Sequence, residues 1–351
     1  MSFQGRRIKT CVIGHGYWGP NLVRNLLQHR GFEIVGIIDL NPHVLSSLTN
    51  ACPQIPTFTE IDLALEKLRP EAAIIATPPA THLPLALKCI KAGAHILLEK
   101  PMALSTAECD EIILESKKAH LKVMVDHTFM YHPAVQCLAK EVHTGALGDL
   151  LYYDSVRVNL GKFQTDTNVL WDLAPHDLSI LDLLLKGKMP KKLTAHGIKH
   201  FNKKQENLCY LHMIYERNFV AHLHLNWVAP IKIRSLTLGG SRKMAVYDEG
   251  LPIEKLKIYD KGVSVAQTDY EARIHYRLGD MLAPALPATE PLFNMVSKFH
   301  SYMALDERPI SDALTGKRIV QIIEAASMSL LAGGETISVN DVPLQSISKA
   351  A

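Results

Sequence analysis

IKTCVIGHGYWG, residues 8–19, joins a short apolar run to three glycines and leads into a helical pattern. The spacing G-x-G-x-x-G is a strong signal when it lies between a strand and a helix, as it does here. Gly14 permits the tight turn, Gly16 lets the backbone approach a pyrophosphate, and Gly19 allows close packing of helix on strand. The free N–H groups at the start of the helix then receive the anion. We therefore predict a dinucleotide-binding loop.

An acid follows this loop at the distance that dinucleotide-binding folds require. Asp39 ends the next predicted strand, 20 residues beyond Gly19, where a carboxylate accepts hydrogen bonds from the ribose hydroxyls. A carboxylate also repels a 2′-phosphate, and residues 40–42 contain no arginine to receive one. The acid disfavours the alternative of a glycine-rich turn without a ligand. We predict NAD as the cofactor in preference to NADP, with Tyr17 and Trp18 as further contacts.

Short β-rich runs alternate with helical patterns over the first 127 residues. Strands are predicted at 8–13, 32–38, 72–76, 95–98 and 123–126, and helices at 21–28, 42–50, 83–92 and 105–120. Buried strands without apolar/polar alternation, joined by helices, indicate a parallel sheet covered on both sides. Their regular alternation is typical of a doubly wound Rossmann fold. We predict that residues 1–127 form the NAD-binding domain.

The pattern changes after residue 128. A helix at 134–144, a strand at 150–158 and a helix around 176–185 precede strand-like runs that lack intervening helices, with a hairpin turn at 216–218. Such runs indicate a large, open, mostly antiparallel sheet in a C-terminal α/β domain, residues 128–351, for substrate binding and oligomerisation. The runs are 192–200, 208–215, 219–228, 231–238, 243–248 and 254–259, and a final helix is predicted at 315–332.

The composition is that of a cytoplasmic globular protein. Of the 351 residues 47% are hydrophobic and 21% are charged, and the formal charge is +3. This balance gives no basic face for nucleic acid, and no stretch approaches the length needed to span a membrane. The N-terminal apolar stretch is too short for a signal peptide. Six cysteines without a C-x-x-C pair are typical of reduced thiols.

Two further loops follow strands of the predicted parallel sheet, where ligands bind in such folds. The first begins at Thr77 and Pro78 and reaches His82, and its two prolines suit a stiff wall for the nicotinamide ribose; a plain turn is the alternative. The second is Glu99-Lys100 before Pro101, which restricts Lys100 to extended backbone and allows a cis peptide bond. A lysine here is by itself most often a solvated surface charge.

A third cluster lies in the second domain, at the start of a predicted helix. Asp172 is placed to cap that helix and Pro175 is tolerated in its first turn. His176, four residues after Asp172, projects from the same side, so that carboxylate and imidazole can address one point. The alternative is a capping aspartate with an incidental histidine. The three clusters together favour a catalytic site.

These signals resemble the Gfo/Idh/MocA family, the relatives of glucose–fructose oxidoreductase and inositol dehydrogenase. The glycine fingerprint, the strand-terminal Glu-Lys-Pro and the Asp-x-x-x-His at a helix start carry the resemblance, which covers nearly the whole chain. The family implies a Rossmann domain that binds NAD(P) and an α/β domain whose open sheet covers a sugar. By position, it also implies that Lys100, Asp172 and His176 form the catalytic set.

Other segments are similar to family members that act on nucleotide-linked sugars. They are residues 276–280 with 290–292, and residues 154–159 leading to 168–174. One departure is that residues 168–171 and Ala174 stand where many relatives carry glycines. The loop should therefore be stiffer than in a close copy of inositol dehydrogenase. The substrate contacts that this resemblance implies are Arg157, Asn159, Asn168 and Tyr276.

The expected reaction is oxidation of a secondary alcohol. NAD is the hydride acceptor, and His176 is the base because its unperturbed pKa lies near neutrality. Lys100 stabilises the developing alkoxide, Asp172 orients the substrate or the base, and Glu99 positions Lys100 or the nicotinamide. The predicted substrate is a nucleotide-linked or phosphorylated hexose. The alternatives are an inositol or free-sugar dehydrogenase, a keto-sugar reductase, and a non-catalytic NAD-binding redox sensor.

The remaining candidates are aromatic or titratable residues outside these clusters. His127 and Tyr131 are predicted to touch the nicotinamide or substrate, with packing between the domains as the alternative. His212, His222 and His224 lie on neighbouring strands, but no carboxylate or cysteine shares their spacing. We therefore predict no metal site and interpret them as a polar sheet face or subunit contact. The open sheet makes a homodimer or homotetramer plausible.

Overall fold

The computed structural model describes residues 6–161, 163–164, 167–201, 205–267 and 272–339. The chain forms two compact units. The first combines the residues up to Tyr131 with Thr289–Val320, and the second combines His132–Ala288 with the segment that begins at Gln321. A domain boundary at residue 127 stays a prediction.

Strands and helices alternate in the first half of the described chain, and strands dominate the second half. The elements are, in order, β1 (Ile8–Ile13), α1 (Gly19–Gln28), β2 (Phe32–Ile38), α2 (Pro42–Ala51), β3 (Thr57–Phe58), α3 (Ile61–Leu68), β4 (Ala72–Ile75), α4 (His82–Lys91), β5 (His95–Glu99), α5 (Thr106–Lys118), β6 (Val123–Asp126), α6 (Pro133–His143), β7 (Leu150–Leu160), α7 (Val169–Leu184), β8 (Lys192–Ile198), β9 (Leu208–Ile214), β10 (Val220–Asn226), β11 (Val228–Gly240), β12 (Met244–Asp248), β13 (Leu256–Gln267), β14 (Ala272–Leu282), α8 (Pro291–Leu305), α9 (Ala313–Leu331) and β15 (Ile337–Ser338).

The first unit is built on a six-stranded sheet in the order β3-β2-β1-β4-β5-β6. Every neighbouring pair is parallel. All four residues of β4 and all four of β6 are buried, which is why these strands show no apolar/polar alternation. The order reverses between β1 and β4, and this switch point is where doubly wound sheets bind ligands, at the carboxyl ends of the strands. The predicted Rossmann sheet is confirmed.

One helix of the first unit comes from far along the chain. The sequence did not predict α8, which packs against α1 and is anchored there by an ion pair between Arg24 and Glu290 at 2.6 Å. Phe299 of α8 is fully buried and stacks with Phe32 at a ring separation of 6.3 Å. The short elements β3 and α3 were also missed, because their apolar patterns span only a few residues.

The second unit contains a nine-stranded sheet in the order β14-β13-β12-β11-β7-β10-β9-β8-β15. Only β7 and β10 pair in parallel; the other pairs between named strands are antiparallel among the described residues. The turn between β9 and β10 holds Arg217 and Asn218 at φ 55° and 56°, the left-handed geometry of a tight hairpin. The predicted antiparallel sheet is confirmed, although β14 was missed and β13 is longer than expected.

Helix α7 begins earlier than predicted. Its cap is Asn168, whose side chain accepts a hydrogen bond from the N–H of Trp171, so the expected cap at Asp172 is wrong. Asp172 lies in the first turn instead, where a carboxylate still complements the positive end of the helix dipole. Pro175 lies inside the helix and is buried. The first turn of α7 therefore presents Asp172, and the second presents His176.

Candidate functional site

The glycine loop has the close backbone approaches that the fingerprint predicts. Gly14 has φ +92°, and a Cβ atom on it would lie 2.6 Å from the carbonyl oxygen of Ala76. A Cβ on Gly19 would lie 2.4 Å from the carbonyl of Gly14, so the loop closes on the helix only with glycine there. No atom lies within 4 Å of a Cβ built on Gly16. The backbone at Gly16 is thus open to a ligand.

The start of α1 can receive an anion. Trp18 occupies the cap position without making a side-chain hydrogen bond to the helix, and Pro20 follows in the first turn. Pro20 has no N–H, and the N–H of Asn21 donates to the carbonyl of Trp18 at 2.9 Å, so Gly19 is the first-turn residue whose N–H can face a pyrophosphate. Tyr17, beside Trp18, is almost fully exposed. The loop residues fit the pyrophosphate of a dinucleotide.

Asp39 stands at the carboxyl end of β2 and is tied to the glycine loop. One carboxylate oxygen accepts the N–H of His15 at 2.7 Å, and the other accepts the N–H of Asn41 at 2.8 Å. Each carboxylate oxygen can accept a second hydrogen bond, and the side chain is partly exposed. The position suits the ribose hydroxyls of the adenosine half of the cofactor.

His82 has a structural role that its assignment as a cofactor contact did not foresee. Its ring is fully buried, with Nδ1 2.9 Å from the carbonyl oxygen of Pro101 and Nε2 2.9 Å from that of Thr77. Burial lowers the pKa of His82. The ring joins the loop after β4 to the turn after β5, so it is not presented to a cofactor. Thr77 and Pro78 remain at the carboxyl edge, where Thr81 donates to the hydroxyl of Thr77 at 2.7 Å.

The Glu-Lys-Pro turn follows β5 and contains a cis peptide bond between Lys100 and Pro101. Glu99 Oε2 accepts the N–H of Lys100 at 3.2 Å, while Oε1 is buried without a hydrogen-bond partner among the described residues. Burial and the adjacent Asp126 raise the pKa of the Glu99 carboxyl well above its usual range. The shift favours the protonated form of this carboxyl, beside the lysine that the sequence marks as catalytic.

Asp126 is a further candidate for the site that the sequence analysis did not name. It ends β6 directly opposite Glu99, and it accepts hydrogen bonds from Trp18 Nε1 at 3.2 Å and from the Thr128 hydroxyl. The indole of Trp18 thus reaches from the glycine loop to the end of β6. A strand-terminal acid beside the Glu-Lys-Pro strand was the available signal.

His127 and Tyr131 lie deeper than a substrate contact requires. His127 is 3% exposed, and burial together with Lys100 lowers its pKa to about 3. Tyr131 is also buried, and its hydroxyl lies 3.0 Å from that of Ser311. Burial raises the pKa of Tyr131. Both side chains are buried within the first unit, and a contact with the nicotinamide or substrate stays a prediction.

In the second unit, Asp172 and His176 lie one turn apart on α7. Most α7 residues are buried, but these two side chains are partly exposed. Asp172 Oδ2 accepts a hydrogen bond from Trp227 Nε1 at 3.1 Å. Asn168, the cap of the helix, donates to Glu206 at 2.8 Å. The carboxylate, the imidazole and the amide are thus gathered at the start of one helix.

The other predicted substrate contacts differ in their exposure. Arg157 is buried and forms ion pairs with Asp177 at 2.6 Å and Glu249 at 3.3 Å, which argues against its binding a substrate. Asn159, near the end of β7, is partly exposed. Tyr276 lies on β14 and is 75% exposed. Of the second-unit set, the structure brings together Asn168, Asp172 and His176.

The histidines of β9 and β10 form a row on the sheet. His212 and His222 are directly paired, with ring centroids 6.3 Å apart, and His224 stacks on Tyr210 at 4.6 Å. Within the described ranges, no group of three or more histidine, cysteine or acidic side chains could hold a metal ion. The row has the character of a polar, aromatic sheet face.

The first unit places Gly14, Trp18, Asp39, Thr77, Glu99 and Lys100 along the carboxyl edge of one parallel sheet. Convergence of Lys100 with Asp172 and His176 stays a prediction. Among the described helices, none has the length and apolar character to cross a membrane.

Comparison with known proteins gives one family. The model of the oxidoreductase family with an NAD-binding Rossmann fold, GFO_IDH_MocA, matches residues 8–127. A UDP-N-acetylglucosamine 3-dehydrogenase from Acidithiobacillus ferrooxidans is 30% identical over 200 residues, which are 57% of this chain and 61% of that protein. A solved structure of that dehydrogenase has a TM-score of 0.77 at 24% identity, over 93% of this chain and 99% of the other.

A second relative has a different activity. A 2,7-anhydro-N-acetylneuraminate hydratase from Mediterraneibacter gnavus is 23% identical over 344 residues, 90% of this chain and 88% of that protein. The family match lies on the unit that carries the glycine loop, Asp39 and Lys100, and it confirms the prediction of NAD binding. Residues 8–127 thus match the Gfo/Idh/MocA family of NAD-binding oxidoreductases, the family that the sequence motifs resemble.

Proposed function

We propose that the protein is an NAD-dependent dehydrogenase that oxidises a secondary hydroxyl of a nucleotide-linked hexose. The observation that carries the proposal is the pair Asp172 and His176, partly exposed one turn apart on the otherwise largely buried α7. Lys100 at the carboxyl edge of the parallel sheet supplies the third group. The likeness to a UDP-N-acetylglucosamine 3-dehydrogenase supports the substrate class.

The cofactor half of the proposal rests on the first unit. The open backbone at Gly16 and the uncapped start of α1 hold the pyrophosphate. Asp39 accepts hydrogen bonds from the ribose hydroxyls and repels a 2′-phosphate, which favours NAD over NADP. Bound NAD supplies the hydride acceptor. Thr77 and Pro78 form the wall beside the nicotinamide ribose.

The chemistry is assigned to three side chains. His176 accepts the proton of the substrate hydroxyl, because an imidazole titrates near neutral pH. The Lys100 ammonium donates a hydrogen bond to the same oxygen and stabilises the negative charge that develops on it. Asp172 orients the base or the substrate and favours the imidazolium after proton transfer.

The remaining parts of the proposal concern the whole protein. We place the enzyme in the cytoplasm, where its six free cysteines stay reduced. Exposed apolar side chains on the edge strand β14, among them Tyr276 and Leu278, support association into a homodimer or homotetramer through the large sheet.

The test is oxidation of UDP-N-acetylglucosamine followed as NADH formation at 340 nm. UDP-glucose, N-acetylglucosamine and myo-inositol serve as comparison substrates, and NADP replaces NAD in a parallel series. We expect turnover with a nucleotide-linked hexose and NAD, and we expect Asp39→Ala to weaken NAD binding far more than NADP binding. Preference for a free sugar or inositol would contradict the substrate class. Binding of NAD without oxidation of any compound would indicate the redox sensor instead.

A further inference from the structure

Trp227 lies at the junction of β10 and β11 and has no assigned role. Its side chain is 2% exposed, and its main chain is held on both sides. The N–H of Trp227 donates to the carbonyl of Asn207 at 2.9 Å, and its carbonyl accepts the N–H of Gly161 at 2.9 Å. The backbone of this residue is therefore fixed by two neighbouring segments of the second unit.

The indole ring of Trp227 is confined as well. Phe163 meets it edge-on, with ring centroids 5.7 Å apart and planes at 62°. On another side is Gly161, where a Cβ atom would lie only 3.3 Å from Cδ1 of the indole. A ring held in this way points its single N–H in one direction. The N–H points toward Asp172 and donates a hydrogen bond to Oδ2 of its carboxylate at 3.1 Å.

We propose that Trp227 is a positioning residue that sets the orientation of the Asp172 carboxylate for the reaction. The terminal torsion of an aspartate is broad, so an unsupported carboxylate samples many orientations. An indole N–H can only donate a hydrogen bond, so Trp227 binds one carboxylate oxygen of Asp172. The donor and the acceptor cannot exchange roles. The inference rests on the proposed function, because it concerns the group that orients base or substrate.

The helix itself adds to this arrangement. Asn168 caps α7 through the N–H of Trp171 and also donates to Glu206, so the first turn that carries Asp172 is anchored at its start. Trp227 then fixes the side chain on that anchored turn. Supporting hydrogen bonds of this kind hold catalytic groups close to their productive geometry.

A matched tryptophan separates positioning from simple packing. Trp171 is in the same unit and also donates its indole N–H, to the hydroxyl of Ser327 at 3.0 Å. Trp227→Phe and Trp171→Phe each remove one indole donor, but only the former loses the contact with Asp172. Both are compared with the wild type for kcat, KM and thermal stability, using UDP-N-acetylglucosamine and NAD.

We expect Trp227→Phe to lower kcat by about tenfold. The loss can reach about a hundredfold if the whole free energy of the charge-assisted hydrogen bond stabilises the transition state. Trp171→Phe should leave kcat within about twofold at a similar loss of thermal stability. In an Asp172→Ala background, Trp227→Phe should have no further effect on kcat, because residues acting through one group are not additive.

A second measurement does not depend on turnover or on the folding of Trp227→Phe. The chain has three tryptophans, so three indole N–H signals appear in a ¹⁵N-resolved spectrum, and Trp171→Phe and Trp18→Phe identify the third as Trp227. In Asp172→Asn this signal should move upfield, because the charged acceptor is lost.

Two outcomes would overturn the inference. One is an equal loss of kcat from Trp227→Phe in the wild type and in the Asp172→Ala background. The other is a chemical shift of the Trp227 indole N–H that does not change in Asp172→Asn. Failure of the proposed function is seen separately, as wild-type protein that does not oxidise the nucleotide sugars or as Asp172→Ala with unchanged kcat. Either result would remove the catalytic premise, and the positioning role would fall with it.

Discussion

Each unit of the protein contains a buried cluster of charged residues, and the two clusters differ in how completely their charges are paired. In the second unit, Arg157 donates to both oxygens of Asp177, at 2.6 and 3.3 Å, and to Glu249 at 3.3 Å. Arg234 reaches Glu249 from the other side at 2.6 Å. Burial opposes the charge of Arg157, but Asp177 and Glu249 outweigh it and raise the pKa of the guanidinium.

The cluster in the first unit is left partly unsatisfied. Glu99 lies opposite Asp126, and burial together with Asp126 raises the pKa of the Glu99 carboxyl, whose Oε1 has no partner among the described residues. His127, beside it, has a buried Nε2 that likewise lacks one in the described chain. Burial with a like charge moves pKa values furthest, and such groups gather where a protein performs chemistry. The charges of the second cluster are thus paired among the described residues, whereas the Glu99 carboxyl is not, and we expect the first cluster to be the functional one.

The largest effect on stability is expected from breaking the fully paired cluster. Arg157→Met should lower the free energy of unfolding by about 3–5 kcal/mol, because Asp177 is left buried without a counter-charge. Arg234→Met provides the control, since Arg234 also pairs with Glu249 but is more exposed, with 31% of its side chain accessible. It should cost about 1 kcal/mol or less. Urea denaturation followed by circular dichroism measures both.

The double variant Arg157→Met with Asp177→Leu sharpens this result. Replacing both partners with apolar groups removes the buried unpaired charge, so most of the lost stability should return. Equal losses for Arg157→Met and Arg234→Met would show that the buried Arg157–Asp177 pair contributes no more to stability than the more exposed Arg234–Glu249 pair.

A smaller effect of opposite sign is expected in the first unit. Because the pKa of Glu99 is raised by burial and Asp126, the folded state is favoured while this carboxyl is protonated. That contribution is complete below the unfolded pKa of about 4.3 and is lost as the pH rises through the folded pKa. Glu99→Gln should therefore raise Tm by about 2–4 °C at pH 8 and have little effect near pH 4.

The control for this variant is Glu111→Gln on the exposed face of α5, which should leave Tm unchanged at both pH values. A lower Tm for Glu99→Gln at pH 8 would mean that the ionised carboxylate is stabilised in the fold. The contrast between the paired and the unpaired cluster would then disappear.

Local patterns predicted most of the fold, and the misses share a physical cause. Strands β1, β2 and β6 were predicted to the residue, because buried apolar runs end at glycine or at polar side chains. Helix α8 was missed because its place beside α1 depends on contacts with residues more than 250 positions earlier, such as Arg24 with Glu290. Contacts between residues so far apart in the chain produce no local sequence pattern.

The candidate site shows the same limit. The glycine loop and Asp39 could be predicted from the sequence, because the cofactor-binding turn fixes the spacing of these residues. Asn168 and Asp172 both suit a helix start, and the hydrogen bond from the N–H of Trp171 to Asn168 shows which one caps it. The bond that holds Asn168 to Glu206, 38 residues later, has no local signal. Trp227 carries no local signal at all, since its partner Asp172 lies 55 residues earlier in the chain.

The central claim is that Lys100 acts in the transition state and not in holding the cofactor. Its most direct test is kcat of Lys100→Ala with UDP-N-acetylglucosamine, measured together with the dissociation constant of NAD. Lys122→Ala, at the opposite end of the neighbouring strand, is the matched control and should keep normal kcat. We predict that Lys100→Ala lowers kcat by about 100- to 1,000-fold, as loss of one charge-stabilising donor does, while NAD affinity changes little. Unchanged kcat, or a loss matched by weaker NAD binding, would contradict the account.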